Sequence, residues 1–481
     1  MPDIRHLIPD NDPRLAVLQG GETRADAGRV LLWVQRAQRA TGNLAANLAI
    51  EIANEIRLPV VAAFCLVPAF PRATLRAYYF MAEGLAELPA AFNQRGIGWA
   101  LRTGEPETVI PALARELNAA LVITDQNALR IGREWRDAVA TELDVPFLAV
   151  DTDVVVPSTL FSNEEWAPRT IRPKIHRQLD QFLQPIAEPT ANHPSRHRDG
   201  PDPLDAINQL GLDAAVGPAP DIHGGSSIAR QRLQSFISER LPGYATDRNR
   251  ADIDGTSRLS PYLHYGQIGP IEVALAIEAA GNDGAPSDDV AAFLDELIVH
   301  RELSINFALR NPGYDRFAGI PDWGQKTLAE HAADPRPHLY DLDRLAASET
   351  AEPVWNTAQR QMVAEGWMPN RLRMYWAKQI VRWSETPEEA FANTVALNDR
   401  SFLCGRDPIG YAQISWAVGG RHDRPFPPNK PIFGIVRPMT TSGLKRHFDV
   451  AAYTRQADER WGALDDGNRD EPAQRRLESD D

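Results

Sequence analysis

Between Gly28 and Asp151 short apolar runs alternate with stretches of helical period, and no other feature of the chain restricts its fold as strongly. GRVLLWV is followed by LAANLAIEIANEI, then by PVVAAFCLV, a helical stretch around Tyr78 to Asn93, the segment ALVITD, the helix REWRDAVATEL and the run VPFLAVD. Continuous apolar runs of this length belong to strands buried on both faces, and the helices between them carry the chain back across a sheet. The pattern predicts a doubly wound parallel α/β domain over residues 28–155, preceded by an N-terminal extension over 1–27. No GxGxxG or Walker glycine loop follows the first run, so neither a dinucleotide fingerprint nor a P-loop assigns this domain a nucleotide.

The chain's 481 residues exceed what one core organises, and its 43% apolar content is enough to bury more than one. Residues 156–225 read as a linker: RTIRPKIHRQL starts a basic amphipathic helix, and PIAEPTANHPSRHRDGPDP gathers Pro, Gly and polar residues into a crossing loop. Arg169, Arg172 and Lys174 there serve equally as solvated charges or as DNA contacts. From Ser226 to residue 456 the pattern is helical almost throughout. Its centre is WMPNRLRMYWAKQIVRW, Trp367 to Trp383, whose apolar positions predict a largely buried helix. Trp376 and Trp383 share a face about 10 Å apart along its axis, near enough for an electron to hop, and Trp355 lies one helix earlier. The following run LNDRSFLCGRDPIGYAQISWAVGG is denser in Asn, Asp, Arg, Gly and Trp than a core requires, which marks a ligand site. Upstream, Thr256, Ser257 and Ser260 precede Pro261 at a helix start. They suit either helix capping or the binding of a pyrophosphate by free N–H groups and hydroxyls.

RMYWAKQIVRW, LNDR, GRDPIGYAQISWAVGG and HDRPF, with GTSRLSPYLHYGQI and FLDELIVHRELSINF upstream in the same order, resemble the class II cyclobutane pyrimidine dimer photolyases of the photolyase/cryptochrome family. The resemblance covers roughly residues 28 to 453. It implies an all-α FAD-binding domain behind the α/β domain, with FAD reduced in its active state, and a carbon–carbon lyase that splits cyclobutane dimers in UV-damaged DNA by light-driven electron transfer. It assigns Tyr244 and the stretch Thr256, Ser257, Arg258, Leu259 and Ser260 to the flavin, together with Arg301, Asn398 near flavin N5, Arg406 and Asp407. Glu296 then bonds the dimer, and Trp416 stacks on it. Trp376, Trp355 and Trp383 form the electron-transfer chain, with Tyr375 as a side branch. The α/β domain is where the family carries a second, antenna chromophore, whose identity the residues do not specify. On an ideal helix Glu296 and His300 point the same way. His300, on the DNA side, replaces the family's Arg or Trp. Cys404 replaces an Asp, and Pro369-Asn370 replaces a His-Gly. The alternative reading is a cryptochrome-like flavin photoreceptor without repair.

The formal net charge of −14 excludes a broadly basic nucleic-acid coat. The charge is uneven, however: residues 421–449 hold six Lys or Arg against two Asp, and residues 457–481 hold nine acids against four Arg. Arg421, Arg424, Lys430 and Arg437 are therefore the expected phosphate contacts, and the acidic end is expected to be a disordered tail. Two cysteines, Cys65 and Cys404, form neither a disulfide framework nor a metal site. The polar, proline-broken start and the lack of long apolar runs predict a cytoplasmic protein without membrane spans, and a monomer is expected.

Overall fold

The computed structural model describes residues 12–23 and 26–461. Among the described residues seven strands form one sheet: β1 (Leu15–Gln19), β2 (Arg29–Val34), β3 (Val60–Leu66), β4 (Gly98–Thr103), β5 (Ala119–Asp125), β6 (Phe147–Val150) and β7 (Arg198–Asp199), in the order β1-β6-β5-β2-β3-β4-β7. β2 to β6 run parallel. Alternation along β2 sends Val30, Leu32 and Val34 into one core, against the helices Leu44–Ile56 and Leu75–Gln94. Leu31 and Trp33 go into the other, against Pro106–Glu116 and Arg130–Glu142. Both faces are thus covered, as the unbroken burial of β3 and β5 requires. The chain runs outward from β2 in both directions, so the strand order reverses between β2 and β5.

Two edges depart from expectation. β1 pairs antiparallel with β6, so the segment read as an extension adds a strand to the sheet. Its LAVLQ is half-exposed, with Val17 turned to solvent, and an edge strand of this kind leaves no continuous apolar run to detect. β7, two exposed residues from within the linker, pairs with β4 at Trp99 and Ala100. The linker is pinned elsewhere too: Asn47 Nδ2 donates to the Ala187 carbonyl at 2.6 Å and Asn54 Nδ2 to that of Thr190 at 3.0 Å.

Beyond Ser226 the elements are helical, as expected. The helix Val450–Trp461 runs past residue 456 and buries Ala457 and Trp461, so the ordered fold takes in the first residues assigned to the acidic tail. Residues 1–11 of the expected extension and 462–481 of the expected tail lie outside the described residues. Among the described residues no helix is long and apolar enough to cross a membrane.

Candidate active site

The helical half holds an open cavity between its helices, lined by polar and charged side chains as well as apolar ones. Tyr244, Thr256, Ser257, Arg258, Leu259, Ser260, Glu296, Arg301 and Asp407 all line this space. The helix Ser260–His264 has five residues and no side-chain cap, so the hydroxyls before it are not consumed as caps. Thr256 Oγ1 is buried without a partner, as are Gln413 Oε1 and Arg373 Nε on the same wall. Buried polar atoms are rarely left so, and together these form a donor and acceptor set for a polar ligand. They fit the pyrophosphate and ring edge of a flavin dinucleotide. Asn398 is fully buried behind the wall. Its Oδ1 accepts from Arg373, its Nδ2 donates to Asp399 Oδ1 at 2.8 Å, and only the side-chain-free Gly410 separates it from the cavity. Arg406 departs from expectation. Its backbone is left-handed at φ 60° and its guanidinium turns away, toward the Asp399 carbonyl and the Tyr265 hydroxyl.

Asp407 belongs to a buried network that joins the two halves of the molecule. Arg36, from the turn after β2, bridges Asp407 and Asp153 at 3.0 Å each, His264 Nδ1 lies 2.9 Å from Asp407, and Arg301 reaches Asp153 at 2.9 Å. Burial alone would raise the Asp407 carboxyl, but Arg36 and His264 outweigh it and hold the group well below the usual carboxylate range.

Residues Asp295–His300 form a π-helical turn, not the ideal helix on which Glu296 and His300 were expected to share a face. In the widened turn residues five apart face one another. His300 Nε2 therefore lies 3.5 Å from Asp295, which also takes two bonds from Arg172, while Glu296 pairs with Arg248. Burial would raise the Asp295 carboxyl, yet the His300 and Arg172 contacts hold it well below the usual range. Arg172 is accordingly spent within the protein rather than left free for DNA.

The His300 ring lies parallel to Trp416, 5° apart in plane with centroids at 6.2 Å, and His422 meets Trp416 edge-on at 6.0 Å. Trp416 is one helical turn beyond Gln413, so this aromatic group adjoins the cavity. Burial pushes the His422 imidazole down to about 3, so it stays neutral. Of the expected phosphate contacts, Arg424, Lys430 and Arg437 are exposed, with Arg437 also 3.4 Å from Asp423. Arg421 corrects the expectation: it is buried, paired with Glu164 and laid over Phe307 at 4.6 Å. Two exposed aromatics were not singled out in the sequence. Trp166 carries Arg169 over its ring at 4.1 Å, and Phe426 carries Arg437 at 4.8 Å.

Phe402, which lines the cavity beneath Arg373, begins an aromatic path. Trp376 meets it at 6.4 Å, Trp355 stacks on Trp376 at 6.3 Å and 7°, and Trp383 meets Trp355 at 5.5 Å. Trp355 thus stands between the two indoles that share a helix. Its Nε1 donates to the Trp376 carbonyl at 3.0 Å, and Trp376 Nε1 donates to Gln359 at 2.8 Å, which fixes both rings. Tyr340, not Tyr375, continues the path: it meets Trp383 at 5.4 Å and stacks on the exposed His338. Tyr375 bonds Thr441 at 2.9 Å instead.

A second cavity opens at the carboxyl ends of the strands, where the strand order reverses. Trp33, Phe64, Tyr78 and Trp135 make it largely apolar, with Gln35, Arg36, Gln38, Asn127 and Arg406 among its polar groups, and His264 lines both cavities.

Residues 30–191 match the DNA photolyase family. The chain is 37% identical over 442 residues to the deoxyribodipyrimidine photo-lyase of Methanothermobacter thermautotrophicus, a match spanning 92% of this chain and 97% of that protein. It is 39% identical over 430 residues to the protein of the same name from Potorous tridactylus, spanning 88% and 80%. The fold is similar to a bacterial class III photolyase from Agrobacterium tumefaciens, with a TM-score of 0.70 at 19% identity over 91% of this chain and 88% of the other.

Proposed function

The chain belongs to the DNA photolyase family, and from that premise we propose that it is a deoxyribodipyrimidine photo-lyase of the class II branch, acting on cyclobutane pyrimidine dimers in UV-damaged DNA. One observation carries the reading: a cavity lined by hydroxyls and guanidinium groups adjoins the Trp416–His300 ring pair and leads through Phe402 to a ladder of buried indoles. Reduced FAD, when bound there and excited by light, supplies an electron to the dimer and recovers it after the ring has opened.

The protein's part is to hold, orient and exclude. Thr256, Ser257 and Ser260 offer hydroxyls to the pyrophosphate beside Arg258. Asp407, locked by Arg36 and His264, offers a fixed carboxylate to a ring donor. Trp416 gives a flipped dimer the stacking it loses on leaving the duplex, about 1–3 kcal/mol per base. Glu296, oriented by Arg248, faces the same cavity and accepts or shares a proton at the dimer's polar edge. Trp376, Trp355 and Trp383 lead from the cavity through the buried Tyr340 to the exposed His338, a route for the electron that readies the cofactor. The second cavity is the proposed seat of a flat antenna chromophore. We propose a monomer as the acting unit.

The purified chain, reconstituted with FAD, is expected to show a flavin spectrum and to restore dimer-containing oligonucleotides under blue light but not in the dark. A flavin spectrum without any restoration would favour the photoreceptor reading, and a protein that takes up no FAD would remove both.

A further inference from the structure

Four arginines line the cofactor cavity, and three have their charge balanced within the protein. Arg248 pairs with Glu296, Arg258 with Asp254 at 3.1 Å and Glu365 at 3.3 Å, and Arg301 with Asp153 at 2.9 Å. The fourth, Arg373, has only neutral neighbours. Its Nη2 donates to the Asn398 amide oxygen, its Nη1 lies 3.5 Å from the Cys404 thiol, and its guanidinium sits 4.0 Å over the Phe402 ring. Its Nε is buried and unpartnered, and among the described residues it makes no ion pair. The nearby acids do not pair with it: Glu296 is taken by Arg248, Asp407 by Arg36 and His264, and Asp399, which lies behind Asn398, by Arg72 at 3.4 Å and the Tyr411 hydroxyl at 3.0 Å.

We infer that Arg373 is the residue that sets the reduction potential of the bound flavin, its charge left free by the neutral Asn398 and Cys404 to meet negative charge on the reduced ring. The inference rests on the reading of this cavity as the FAD site. A cation in a poorly solvated wall acts on a nearby charge far more strongly than in water, and protein charge near a flavin's reactive edge tunes its electronics. Reduction adds negative charge to the ring system, so an unbalanced guanidinium favours the reduced form and moves the midpoint potential up. Position 404 decides how much of that charge is left. An Asp there would carry its carboxyl carbon where Cys404 carries sulfur, which puts a carboxylate oxygen within reach of Nη1.

Spectroelectrochemical titration of the FAD-loaded full chain tests this. Cys404→Asp and Arg373→Gln should each shift the midpoint potential to more negative values, while Cys404→Ser and Arg373→Lys should leave it close to the parent. If Arg373→Gln no longer retains FAD, Cys404→Asp reads the same charge with the guanidinium in place. Parental potentials in both charge-changing variants would overturn the inference, as would an equal shift in Cys404→Ser, which would assign the effect to sulfur. A parent chain that takes up no FAD would overturn the cofactor assignment instead, and the two failures are distinct because the second leaves nothing to titrate.

Discussion

Trp416 and His300 lie plane to plane, and under the proposed function they offer a flipped pyrimidine pair an aromatic surface rather than isolated side chains. Trp416→Ala is expected to weaken binding to dimer-containing oligonucleotides by about 1–3 kcal/mol, since that is what one stacked base contributes. Undamaged duplex, which presents no extruded base, should bind as before; fluorescence anisotropy with both DNAs reads the difference. Trp416 was legible because it sits inside a long motif, and Tyr244, Thr256 to Ser260, Glu296, Arg301 and Asp407, singled out from motifs likewise, line one cavity. It did not reveal which charges are spent. Arg421 and Arg172 look like free cations in a basic stretch, yet one is buried on Glu164 and the other holds Asp295. Charge sign is written in the sequence, whereas the partner comes from another segment.

At the scale of elements, two departures have one cause: an ideal helix is a poor ruler once its register shifts or a second helix intervenes. The π turn at Asp295–His300 adds a residue to one turn and redirects His300 to Asp295. Likewise Trp376 and Trp383 were legible as one face of the helix Asn370–Trp383, but the Trp355 ring that bridges them comes from the helix Pro353–Glu365. Trp376→Phe is expected to abolish photoreduction of oxidised FAD while leaving dimer splitting intact when the cofactor is reduced chemically. Transient absorption and a dithionite-reduced repair assay separate the two, and photoreduction at the parental rate would return these indoles to simple core packing.

For the molecule as a whole, the parallel sheet was legible because β2, β3 and β5 are unbroken apolar runs, and its short edges β1 and β7 were not because half-exposed strands leave no such run. The joint between the halves was equally hidden. Glu302 accepts from the Val155 and Val156 N–H groups at 2.7 and 3.0 Å, tying the end of the α/β domain to the helix Arg301–Arg310. Burial pushes its carboxyl from 4.5 up to about 8. The unfolded chain therefore gives up this proton at lower pH than the folded one, and the contribution to stability falls as pH rises from about 4.5 to about 8. Glu302→Gln keeps the carbonyl acceptor and loses the titration, so thermal melts across that range should show a flatter pH dependence than the parent. Above both stands the reading that this joint positions: a cavity that delivers an electron to a dimer held by Glu296 and Trp416. The most direct measurement is the number of dimers split per absorbed photon by the fully reduced, FAD-loaded chain under blue light. The account predicts efficient splitting by the parent and a several-fold lower yield in Glu296→Ala with an unchanged flavin spectrum. A fully reduced parent that splits no dimers would contradict it.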